Sequence, residues 1–169
     1  VANWAWGSGT LSGGAANALS GIQTPDDVGI VSICVLAGFV LCAAALTDRI
    51  YFIRPGETTI DPLDFFTAEA KPDQNISLLT NGDQFVAFAS QSTQYFYASG
   101  DADAPFTPVQ GAAFSQGTLE GTAVLVDKSL FVVGDDMKVY RVSGGPVPVS
   151  TNSISERIRK AYVANRDAP

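Results

Sequence analysis

The sequence predicts an all-β, β-propeller-like chain: three blade-like repeats, part of a larger propeller, followed by a short C-terminal helix. Three observations lead there. Asn81 to Tyr97 (NGDQFVAFASQSTQYFY) reads as a β-hairpin: a turn at Asn81-Gly82-Asp83, an apolar strand, four polar residues, then an aromatic strand. The same pattern stands upstream, where Phe39-Val40-Leu41-Cys42 leads to Ile50-Tyr51-Phe52. It stands again downstream, where Leu130-Phe131-Val132-Val133 leads to Val139-Tyr140-Arg141. A period of about 45 residues with several short strands each is a blade signature.

The totals fit a single folded unit. Of 169 residues 46% are hydrophobic and 16% charged, which excludes a disordered chain. Seventeen Asp+Glu stand against ten Lys+Arg, a formal net charge of −7. That balance argues against sequence-specific or tight nucleic-acid binding and against an anionic membrane surface. The chain has no histidine, so the commonest acid/base and metal ligand is missing, and its serines have no partner for the usual triad. The first residue is Val rather than Met, which points to a processed chain or a piece of a longer one, and no secretory signal pattern opens it.

Taken in order, residues 1–27 read as a Gly/Ala/Ser-rich arm or loop, 28–152 as the blade repeats and 153–169 as helix and tail. Trp4 and Trp6 alternate as on a strand and are candidate anchors of the arm. Ala15 to Leu19 suits a short helical turn. Gly7-Ser8-Gly9 and Gly13-Gly14 are no phosphate cradle, for no lysine follows in register.

Ile30 to Leu46 is an uncharged run, short for a stable membrane span, which takes about 20 residues. Gly38 divides it into a buried hairpin with strands at about 29–36 and 39–45. With a three-residue loop, Cys34 and Cys42 would face each other across the strands, as a reduced buried pair in a cytosol or a disulfide if oxidised. A strand at 48–54 follows, then a turn at Pro55-Gly56-Glu57, then a short strand at Phe65–Ala68. In the second repeat Phe106-Thr107-Pro108-Val109 takes the place of that short strand. Gly144-Gly145-Pro146 turns the third repeat into Val147-Pro148-Val149.

Beyond this the period changes. Ser153 and Glu156 have capping-box spacing. Ile154, Ile158, Ala161 and Tyr162 share one helix face. Arg157, Arg159 and Lys160 occupy the remaining face, as solvated charges or as a contact with a neighbour.

The carboxylates at Asp61, Asp64 and Glu69, at Asp101 and Asp103, and at Asp135 and Asp136 recur among Gly, Pro and Asn. There they serve as turn residues that bond local backbone. Asp101 and Asp103 lack the pattern of an EF-hand calcium loop, so no metal or cofactor is expected. The aromatic residues Phe85, Phe88, Tyr95, Tyr97 and Tyr140 are expected in blade cores. A glycan-hydrolysing propeller is the rival reading, requiring two carboxylates about 5–10 Å apart in one pocket. A glycan-binding module would show an aromatic pocket in each repeat.

Several segments resemble the packaged-DNA stabilisation proteins, the tail hub or nozzle, of short-tailed bacteriophages. They are Asp48-Arg-Ile-Tyr-Phe-Ile53, Thr67-Ala-Glu-Ala-Lys-Pro-Asp73, Gly82-Asp-Gln-Phe-Val-Ala-Phe88, Ser92-Thr-Gln-Tyr-Phe-Tyr97 and Ser153-Ile-Ser-Glu-Arg-Ile-Arg-Lys160. The resemblance spans roughly residues 36–165, and family members are much longer than this chain. It implies a structural virion protein without catalytic residues, assembled in the host cytoplasm. Such a hub attaches below the portal ring, extends or closes the DNA channel and retains the genome. It further implies a ring-shaped homo-oligomer touching portal or adaptor ring proteins, a tail needle and tailspikes or fibres. The acidity suggests that a channel wall past which DNA slides is neutral or acidic.

Overall fold

The computed structural model describes residues 5–7, 10–12, 29–68 and 71–166. A two-stranded ribbon, β1 (Ala5–Gly7) with β2 (Thr10–Ser12), precedes three four-stranded antiparallel sheets. The first holds β3 (Ile30–Leu36), β4 (Phe39–Ala44), β5 (Arg49–Ile53) and β6 (Phe65–Thr67). The second holds β7 (Asn75–Asn81), β8 (Gln84–Ala89), β9 (Thr93–Ala98) and β10 (Phe106–Phe114). The third holds β11 (Val124–Val126), β12 (Ser129–Val133), β13 (Val139–Val142) and β14 (Pro146–Pro148). Within each sheet every strand pairs with the next in sequence, the meander of a propeller blade. Helix α1 (Asn152–Arg166) follows. No described helix is long and apolar enough to cross a membrane.

The turns explain the register. Ala37 (φ 52°) and Gly38 (φ 84°) make a two-residue turn, as do Asp127 (φ 44°) and Lys128 (φ 60°). Such left-handed pairs match the twist of the flanking strands. The first turn is therefore one residue shorter than the expected three-residue loop. Cys34 pairs with Leu41, and Cys42 with Ile33. A one-residue slip moves a side chain to the other face, so the two thiols lie on opposite faces of the sheet and do not face each other. Both are free and buried, and burial pushes Cys34 up to about 11 and Cys42 to about 12.

The core lies between sheets. Leu41, Ala43, Ile50 and Phe52 of the first sheet pack against Leu78, Phe85, Ala87 and Phe96 of the second. Phe85 and Phe96 stack at 5.0 Å, and Phe106 meets Phe39 edge-on at 5.3 Å. Val86, Phe88 and Tyr95 turn the other way, toward Leu130, Val132, Tyr140 and Val142 of the third sheet. β10 bulges between Pro108 and Ala113, and Val109 and Ala112 in the bulge reach this second core. The expected blade-core residues Phe85, Phe88, Tyr95 and Tyr140 are buried, whereas Tyr97 is exposed.

The first strands of the sheets adjoin. Ser32 Oγ accepts the Leu78 N–H at 2.9 Å, and Thr80 Oγ1 donates to the Val35 carbonyl at 2.9 Å. β3 and β7 thus run side by side in one direction. None of the residues of β3, β7 and β11 is charged.

α1 begins at Asn152, one residue before the expected capping serine. Ser153 therefore sits inside the first turn and forms no capping box, while Glu156 pairs with Arg159 at 3.6 Å. A tertiary tie sets this start: the Val139 N–H donates to Ser150 Oγ at 3.0 Å, and that hydroxyl meets Ser155 Oγ at 2.9 Å.

Candidate interaction surface

Three surfaces stand out: an acidic rim, a basic helix and an open sheet face. The rim arises from topology. In a meander, the turn between first and second strands and the connection between third and fourth lie at the same end. Pro55, after β5, accordingly sits beside the Gly38 turn. Arg54 ties this end together. Its Nε and Nη2 hold both Asp64 oxygens at 2.9 and 2.8 Å, and its Nη1 reaches the Ala102 carbonyl of the next sheet at 2.6 Å. The Asp64 bonds raise the guanidinium's pKa further. Glu57, Asp61, Asp83, Asp101, Asp103 and Asp127 are exposed on this rim. Among them stand Leu63, 84% exposed, and Val35, 56% exposed.

Three of the loop carboxylates, Asp61, Asp101 and Asp136, bond local backbone, while Asp64 pairs with Arg54 and Asp135 with Gln116. Asp61 Oδ1 accepts the Leu63 N–H at 2.9 Å. Asp101 Oδ1 accepts those of Asp103 at 2.8 Å and Ala104 at 3.3 Å, which holds its carboxyl below the usual range. Asp135 takes Gln116 Nε2 at 2.6 Å. Burial alone pushes the Asp136 carboxyl up, but Lys138 at 2.9 Å and the Tyr140 hydroxyl at 2.8 Å outweigh it and hold it low. Glu69 lies outside the described residues. Among the described residues no group of three or more His, Cys, Asp or Glu side chains converges as a metal site would.

Two open clefts among the described residues bear on the rival reading. One, of 360 Å³, is lined by Phe65, Phe66, Phe96, Phe106 and Pro108 with Thr67 and Gln94, and holds no carboxylate. The other, of 440 Å³, includes Asp48 and Asp73. Asp73 there already accepts from the Gln91 N–H and from Ser92 Oγ.

α1 carries Arg157, Arg159 and Lys160, all exposed, as the sequence suggested. Among its described side chains Ser155 alone is buried, and Ile158 is half-buried. Every residue from Arg159 to Asn165 is exposed. Trp6 sits in β1 opposite Leu11. Trp4 and the expected helical turn at Ala15–Leu19 lie outside the described residues.

Sequence reasoning missed the open face of the third sheet. Leu41, Val86 and Phe131 occupy positions 41, 86 and 131, a spacing of 45, and are equivalent in register. Leu41 packs on the second sheet and Val86 on the third. The face carrying Phe131 also carries Val124, Val126, Val147 and Val149, all exposed by 47% or more. The 45-residue spacing, applied strand by strand, was the signal that would have found it.

The family model described as "Bacteriophage P22 Gp10, beta-propeller" matches residues 6–166. No curated protein matches. Among solved structures the chain is similar to BamB from Moraxella catarrhalis, with 11% identity and a TM-score of 0.50 over 72% of this chain and 36% of that one. It is also similar to the β-propeller domain of Cps50 (Swd1) from Myceliophteria thermophila, with 12% identity and a TM-score of 0.52 over 73% of this chain and 40% of that one. These likenesses concern the fold, and the chain spans less than half of either propeller. Three meandering sheets packed face to face, an all-β propeller-like fold, agree with the family match: the chain belongs to the bacteriophage P22 Gp10 family of packaged-DNA stabilisation β-propellers.

Proposed function

We propose that this chain is a non-catalytic subunit of the tail hub, or nozzle, of a short-tailed phage. It attaches below the portal or adaptor ring, extends or closes the DNA channel and retains the packaged genome. It works as one of a ring of identical subunits, assembled in the host cytoplasm, and the ring also touches a tail needle and tailspikes or fibres. The family match over residues 6–166 carries this reading. Two features support it. The loop carboxylates Asp61, Asp101 and Asp136 bond local backbone and line neither described cleft. The acidic balance and the uncharged first strands suit a body that does not grip the phosphates of sliding DNA.

The test is electron microscopy of a lysate from phage with this gene disrupted. The expected particles are heads that packaged and then emptied, without tails. Filled, stable, tailed particles would contradict the proposal.

A further inference from the structure

We infer that α1 docks head-to-tail on the acidic rim of a second copy of this chain. The inference deepens the self-association proposed above and rests on it, but the argument comes from charge, exposure and topology.

The charges are segregated. α1 holds Arg157, Arg159, Lys160 and Arg166, four of the chain's ten Lys+Arg, and only Glu156 of its seventeen Asp+Glu. The helix is therefore +3 on a chain whose remainder is −10. The helix and the acidic rim lie at opposite ends of the sheets, and Asp135 and Asp136, bonded to Gln116, Lys138 and Tyr140, stand at the helix's own end. The acidic rim is the end of the Gly38, Gly82 and Asp127-Lys128 turns. α1 leaves from the other end, where the Val149 N–H bonds the Val139 carbonyl at the start of β13. One copy thus presents a basic helix at one end and exposed carboxylates at the other.

The apolar groups match as well. Ile154 is 47% exposed and Tyr162 is 40% exposed, with Arg157 on one side and Arg159 on the other. A helix exposed from Arg159 to Asn165 gains little from its own hydrogen bonds and is stabilised by packing. On the rim, Leu63 and Val35 stand exposed among carboxylates. An apolar stripe flanked by cations therefore meets apolar knobs flanked by anions, the arrangement that selects a partner and its orientation. Contact between two different patches is heterologous and propagates into a ring or an open filament.

Sedimentation of the chain at about 50 and about 500 mM salt tests this, since exposed charge pairs are screened at the higher value. The helix variant is Arg157→Glu with Arg159→Glu and Lys160→Glu. The rim variant is Glu57→Lys with Asp83→Lys and Asp103→Lys. All six positions are exposed, and circular dichroism verifies that both variants fold. The expected result is self-association of the wild type at low salt, weakened about tenfold or more at high salt or in either variant, and restored when the two variants are mixed. A wild type that is monomeric at low salt would overturn the inference. So would a helix variant that associates normally, or a mixture that fails to recover. Association lost through Val147→Lys but kept in the helix variant would assign self-association to the open sheet face instead. A phage phenotype without emptied heads, together with restored mixing, would remove the hub reading and leave this surface standing.

Discussion

Among the described glycines Gly117 has the least room to change. A Cβ there would lie 1.9 Å from the Ser90 carbonyl oxygen, which is backbone and does not swing aside. The segment is also pinned by the Thr118 N–H to the Ala89 carbonyl at 3.0 Å. Gly117→Ala is expected to destabilise by about 2–4 kcal/mol in urea unfolding, as overpacking of a fixed contact does. Two titrating groups give the chain a defined pH response. The Asp136 carboxyl is held below its unfolded value by Lys138 and Tyr140. Its contribution is present above the unfolded value and is lost as pH falls through the folded one. Asp136→Asn should therefore flatten the acid limb of a stability-against-pH curve. Cys42 moves the other way, from 9.0 to about 12 through burial. Its contribution is complete below 9.0 and is lost as pH rises toward about 12. Cys42→Ala should flatten that alkaline limb, read by thermal unfolding at stepped pH.

At the level of the sheets, the 45-residue equivalence makes a sharper comparison. Phe85 is fully buried between the first two sheets, whereas Val147 is 57% exposed on the third. Phe85→Ala should cost about 3–5 kcal/mol and Val147→Ala less than about 0.5. Urea midpoints of the two variants measure this. A large loss at Val147 would mean that the third sheet's face is already covered.

The repeats were legible because turn residues and alternating apolar strands recur at one spacing, as at Gly82 before Phe85 and Asp127 before Leu130. The cysteine register was not. It hinges on Ala37 taking a left-handed conformation, which alanine disfavours and no residue type announces. The start of α1 escaped for another reason. Ser150 and Ser155 are fixed by Val139, eleven residues before Ser150, and local capping rules do not see such a contact. Of the proposed contact surface, the exposed positions of Arg157, Arg159 and Lys160 could be named from helical periodicity alone. The Arg54 tie to Ala102 could not, since it spans 48 residues and joins two sheets.

For the whole molecule, the family match makes the chain a component of a virion, and the hub reading says where in the virion it stands. The open face of the third sheet and the exposed helix leave apolar and cationic side chains in solvent, which supports the proposed contacts. Gold-labelled antibody against residues of α1, applied to purified virions and to isolated tails, tests the hub reading most directly. The account predicts label at the vertex where head meets tail, and on tails freed from heads. Label confined to the distal fibres, or virions and tails with none of this chain detectable by mass spectrometry, would contradict it.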